Sequence, residues 1–182
     1  MNANKPENDT ALQARFEALF RRGTEMLHAG QADKAISVLK KAHALNPEHI
    51  DAALNLSAAY ILTRQFRLAV PILEKLTEIA PDNAMIWTNL GAAYLGNPIL
   101  ASDEDQQRAI AAFEQALAID PIAPNVAYNL GLIYRDRQEY ETAKKWFRRA
   151  IQANPRDRDA HALLQKLENK TDQNTLDKSE EN

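Results

Sequence analysis

Cysteine is absent from the 182 residues. That excludes disulfides, zinc–thiolate sites and thiol catalysis, and leaves the compartment open. No apolar run approaches the roughly 18 residues needed to span a bilayer. Met1 to Thr10 is polar and lacks the apolar core of a signal peptide, so the expected location is cytoplasmic. An excess of charge of one sign is missing too. Lys and Arg number 22 against 25 Asp and Glu, a net charge of −3. No global basic field draws in nucleic acid or anionic membrane. The four histidines, His28, His43, His49 and His161, have no metal-ligand spacing with an acid. No phosphate-binding glycine loop or nucleophile elbow is present. Neither catalysis nor a cofactor nor a metal is expected.

The remainder is 45% hydrophobic and 26% charged, ordinary for a globular domain. Among only five glycines and eight prolines, several recur at regular places. Asn46-Pro47, Ala80-Pro81, Asp120-Pro121 and Asn154-Pro155 each follow an Ala-rich helical stretch, at spacings of 34, 40 and 34 residues. The residue before a proline is pushed out of the α region, so each pair marks a helix end.

With proline at position 32 of a 34-residue unit, other positions fall into register. Position 8 reads Gly23, Ser57, Gly91 and Gly131. Position 20 reads Ala35, Ala69, Ala109 and Ala143. Position 24 reads Leu39, Leu73, Phe113 and Phe147. Trp87-x2-Leu90-Gly91-x2-Tyr94, followed by Ala109-x3-Phe113 and Pro121, resembles the tetratricopeptide repeat (TPR) signature. The resemblance covers about residues 12–170 and is weakest in the first repeat. It implies an all-α fold, a right-handed α-solenoid of helix-turn-helix repeats closed by a capping helix. Small residues at positions 8 and 20 are expected to let paired helices approach closely.

The expected layout is a disordered tail over 1–10 and repeats over about 16–49, 50–83, 84–123 and 124–157. A capping helix over 158–170 and a disordered tail over 171–182 follow. Thr10-x-x-Gln13 suggests a helix start near Ala11, and Gly30 a break between the first two helices. The third repeat carries six extra residues. They read as a longer loop plus about one added helical turn, with Ser102 as N-cap. Ile99 and Leu100 are expected to tuck against the neighbouring repeat.

The resemblance implies that the first helices line a concave groove. Position 6 there holds Arg21, Asn55, Asn89 and Asn129. Stacked asparagine amides offer both donor and acceptor to an extended main chain. Leu62, Met85, Tyr128, Leu132 and Arg135 flank them and supply apolar anchoring and a cation. The basic clamp by which some members of the family hold an acidic chaperone tail is not matched. Lys144, Lys145, Arg148 and Arg149 read as a solvated outer face. The expected function is a scaffold that binds another protein or peptide; nucleic acid is not an expected partner. The rival reading is a structural or assembly factor acting through its edges or by self-association.

Overall fold

In a computed structural model, which describes residues 5–97 and 100–180, every proline-marked stop ends a helix. Among the described residues there are nine helices and no strand. They are α1 (Lys5–His28), α2 (Ala32–Leu45), α3 (Ile50–Leu62), α4 (Phe66–Ile79) and α5 (Ala84–Leu95). α6 (Asp103–Ile119), α7 (Val126–Asp136), α8 (Tyr140–Ala153) and α9 (Arg158–Glu180) complete the chain. α1–α2, α3–α4, α5–α6 and α7–α8 pack as antiparallel hairpins, and each hairpin leans on the next. The first helices α1, α3 and α5 touch one another in turn, whereas successive second helices make no comparable contact. The array therefore bends with the first helices on its inner side, as a stack of hairpins that cannot bury their apolar faces alone must do in some sense of curvature.

The repeated positions explain the hairpins. Ala35, Ala69, Ala109 and Ala143 are all fully buried, and so are Leu39, Leu73, Phe113 and Phe147. Each such large side chain contributes about 1.5–3 kcal/mol by leaving water. The small residues at position 8 stand directly opposite them. A Cβ added to Gly91 would lie 2.6 Å from Phe113 Cδ1, and one added to Gly131 would lie 2.6 Å from Phe147 Cε1. Position 8 thus makes room for a side chain at position 24, rather than for the backbone at position 20.

The turn inside each hairpin is also repeated. The N–H of Gln31, Gln65 and Glu139 donates to the carbonyl of Met26, Tyr60 and Tyr134 at 2.9, 2.8 and 2.9 Å. This is the six-to-one closure of a helix end, and it needs a left-handed residue just before the donor. Gly30 supplies it with φ 71°, but Arg64 (φ 60°) and Gln138 (φ 62°) do so without glycine.

Repeat three departs from this turn as its extra residues require. α6 has 17 residues against 14 in α2, α4 and α8, close to one added turn. Ser102 caps it in a reciprocal box: Ser102 Oγ accepts from the Asp105 N–H at 3.1 Å, and Asp105 Oδ2 accepts from the Ser102 N–H at 3.2 Å. Leu100 does not tuck away as expected. It is 79% exposed, whereas Ala101, next to the cap, is the residue that packs on the core. Ile99 lies outside the described residues.

Three boundaries differ from the sequence reading. α1 begins at Lys5 rather than near Ala11. Pro6 falls in its first turn, where the missing N–H has no intrahelical acceptor to lose; residues 1–4 lie outside the described residues. α9 runs to Glu180, past the expected end at 170. Residues 171–180 contain neither Gly nor Pro, and polar composition alone does not stop a helix. α7 begins at Val126, two residues after the slot that Ile50 and Ala84 fill in α3 and α5. Pro124 occupies that slot and disfavours a helical Ala123, and Asn125 turns left-handed with φ 63°.

Candidate functional site

The inner wall carries the expected ladder, unevenly engaged. Asn55, Asn89 and Asn129 are half-buried and Arg21 is exposed. Asn55 Nδ2 donates to Thr24 Oγ1 on α1 at 2.9 Å, and Thr24 in turn donates to the Phe20 carbonyl at 2.9 Å. That amide ties α3 to α1 and is already in use. Asn89 and Asn129 have no hydrogen-bonded side-chain partner among the described residues. A half-buried amide without a protein partner is solvated, and it is available to a ligand main chain at little desolvation cost.

The late start of α7 opens the wall beside Asn89. A cavity of about 670 Å³ lies between the N-terminus of α5 and the α6–α7 connection. Met85, Thr88 and Asn89 form one side, and Ile119, Ala123 and Pro124 the other. Met85 is 61% exposed, so its polarizable side chain is free to repack against a guest. Asp82 and Asp120 stand on the same cavity, and Asp120 Oδ1 accepts from the Ile122 N–H at 3.0 Å. The cavity thus offers apolar side chains, the free amides of Asn89 and Asn125, and two carboxylates.

The other expected residues are distributed along the wall. Leu62, at the C-terminal end of α3, is 64% exposed. Tyr128 packs edge-on against Phe147 with ring centroids 6.0 Å apart, and it lines a smaller cavity of about 270 Å³ between the α6–α7 and α8–α9 connections. Burial, with the Asp159 and Asp157 charges nearby, raises its phenol above the ordinary value. Leu132 is half-buried and packs against the cluster that joins α7, α8 and α9. Arg135 is held by its neighbour, with Nη2 2.6 Å from Asp136 Oδ1. Met85 and Asn89 therefore share a cavity, and Arg135 lines another, beside α9.

The four outer-face cations do not make one open patch. Lys144 is buried and bridges to Glu141 at 2.6 Å. Arg148 pairs with Glu168 at 2.6 Å, and Arg149 donates to the Pro121 carbonyl at 2.8 Å. Among the described residues no group of His, Asp or Glu is arranged to hold a metal ion. None of the described helices is long and apolar enough to cross a membrane.

Stacked helical hairpins with small–large pairs repeated at fixed offsets define an α-solenoid of the kind that presents an extended surface. The chain belongs to the tetratricopeptide repeat family, whose pattern matches residues 26–94 and 100–167. Over 125 residues, 68% of this chain, it is 30% identical to the general transcriptional corepressor ssn6 of Schizosaccharomyces pombe, and covers 11% of that protein. The chain thus spans only a small part of that relative's length. It is also similar to the solved structure of MamA (41-end) from Desulfovibrio magneticus RS-1, at 26% identity and a TM-score of 0.66, covering 79% of this chain and 77% of that one. TTC0263, a TPR protein of Thermus thermophilus, shares the fold at 18% identity and a TM-score of 0.71, over 84% of this chain and 80% of that one. The family makes this chain a protein-interaction scaffold in general terms.

Proposed function

We propose that the protein is a non-enzymatic, cytoplasmic module whose inner wall holds an extended segment or a helix of a partner protein. The observation that carries this reading is the pair Asn89 and Asn129. Both amides lack a side-chain partner in the described structure, and Asn89 opens onto the cavity with Met85. Main-chain capture by the amides and anchoring of an apolar side chain against Met85 and Ile119 would act together. Asn55 acts differently. Its bond to Thr24 makes it a brace between repeats, and only its Oδ1 and one remaining N–H are left to a ligand.

The test is a quantitative pull-down comparing the wild-type chain with Asn89→Ala/Asn129→Ala and with an outer-face control, Lys145→Glu. Partners retained by wild type and control should be lost from the double variant, with circular dichroism unchanged. Equal capture by all three would refute the reading. A second reading draws on Leu100, which stands 79% exposed at a cavity of about 400 Å³ with Phe66 and Tyr94. An apolar residue on that outer edge suits assembly through edges or self-association. Sedimentation of the wild type against Leu100→Glu separates the two: a multimer that dissociates on this substitution supports edge association.

A further inference from the structure

α9 extends the inner wall by one helix. Arg158 fills the first slot of the 34-residue register, so Leu163 stands at the slot held by Asn89 in α5 and Asn129 in α7. Between α9 and the adjoining ends of α7 and α8 lies a cavity of about 790 Å³. Leu163, Leu167 and Tyr140 give it an apolar part, and Arg135, Lys166 and Lys170 give it a basic rim. No carboxylate among the described residues lines it.

The three cations differ in how far they are neutralised. Arg135 is bound to Asp136 at 2.6 Å. Lys170 Nζ donates to the Tyr140 hydroxyl at 2.9 Å and sits 4.4 Å from the centre of that ring, contacts that hold the charge in place without cancelling it. Lys166 and Lys170 are both exposed and stand one turn apart on α9. Like charges at that spacing repel and cost the helix stability. Neither forms an ion pair among the described residues. A carboxylate placed between them relieves the repulsion and gains two charge-assisted hydrogen bonds.

We infer that this end of the inner wall receives a carboxylate-bearing segment of the partner chain, its acids set at Lys166 and Lys170 and an apolar side chain on the half-buried Leu163. The inference rests on the reading that the inner wall holds a partner chain, and adds the chemistry of that chain. A free inorganic anion would leave the apolar part of so large a cavity uncovered. Nucleic acid fits less well: bases need an open aromatic face, whereas the one aromatic side chain among the described residues at this cavity, Tyr140, is half-buried and tied by its hydroxyl to Lys170, and the whole chain carries a net charge of −3.

The experiment is fluorescence anisotropy on the intact chain with three labelled synthetic peptides. They share length and leucine spacing, and their remaining positions carry Glu, Gln or Lys. The Glu peptide is expected to bind about fivefold more tightly than the Gln peptide at low salt, with the advantage shrinking at high salt. Lys166→Gln/Lys170→Gln should abolish the advantage; both positions are exposed, and an unchanged helical spectrum confirms that the variant is folded. Equal binding of the Glu and Gln peptides, an advantage that survives the double substitution, or binding of none of the three would overturn the inference. So would a single-stranded RNA oligonucleotide that displaces the Glu peptide from the same lysines. Asn89→Ala/Asn129→Ala should weaken all three peptides alike. If it does not while the Glu preference persists, the inner-wall reading fails and the basic cleft stands alone.

Discussion

Replacing Gly91 by serine tests whether position 8 is reserved for the side chain at position 24. A Cβ there would lie 2.6 Å from both Phe113 Cδ1 and Phe113 Cε1. Phe113 is fully buried, so its ring cannot swing into solvent to make room. Overpacking of this kind costs about 1–3 kcal/mol. The better helix propensity of serine offsets roughly 0.5 kcal/mol, leaving a net loss of about 1–2 kcal/mol. Phe113→Leu alone leaves a void and should cost about 1–2 kcal/mol. Repeat two already carries serine and leucine at these two positions, with Ser57 and Leu73 both fully buried. The double variant Gly91→Ser/Phe113→Leu therefore copies a pairing found one repeat away. It should be more stable than the summed single effects by about 1 kcal/mol. For a chain of this length, each such step corresponds to about 2–4 °C in melting temperature. Urea titrations of the four proteins, followed by circular dichroism, give the coupling if the m-values agree. Effects that add within about 0.3–0.5 kcal/mol would refute the opposition of positions 8 and 24.

Two further predictions concern stability. Ser102→Ala removes one half of the reciprocal cap on α6 and should cost about 0.5–2 kcal/mol, read as a lower urea midpoint. An unchanged midpoint would mean that the box contributes nothing. His43 Nδ1 is buried without a hydrogen-bond partner, and burial first, then the Lys75 charge, lowers its pKa below the ordinary 6.5. The unfolded chain binds this proton more readily than the folded one, so the stability His43 contributes is present above pH 6.5 and is lost as pH falls toward the lowered folded value. Urea midpoints should drop from about pH 7 to about pH 5, and His43→Leu should flatten the part of that slope that His43 causes.

The hairpins were legible because their constraints repeat. A proline that ends a helix and a small residue facing a large one leave the same mark every 34 residues, and four marks in register are hard to produce by chance. The 40-residue interval before Pro121 was legible for the same reason, as was the Ser102 cap, whose chemistry lies within one turn. What escaped was set by partners distant in sequence or by backbone that no residue type advertises. Arg64 and Gln138 make the same left-handed turn as Gly30 with side chains that give no warning of it. The register put Asn55 on the inner wall, yet only the packed structure brings Thr24 to its amide. Pro124 was counted into repeat four; it delays α7 by two residues, and that delay accompanies the cavity at Met85 and Asn89. Lys166 and Lys170 escape because a terminal helix with one apolar face and a polar reverse reads as a cap alone. Carrying the 34-residue register through it would have placed them on the wall.

The late start of α7 has a consequence for whatever lies along the inner side. The six extra residues of repeat three fall in the α5–α6 connection and in α6, whereas α7 itself starts at Val126, two residues past the slot where α3 and α5 begin. A guest lying flat over α5 would find no helix to rest on at Pro124 and Asn125. A uniform straight segment would then fit less well there than one with a bend or a bulky group where the surface falls away.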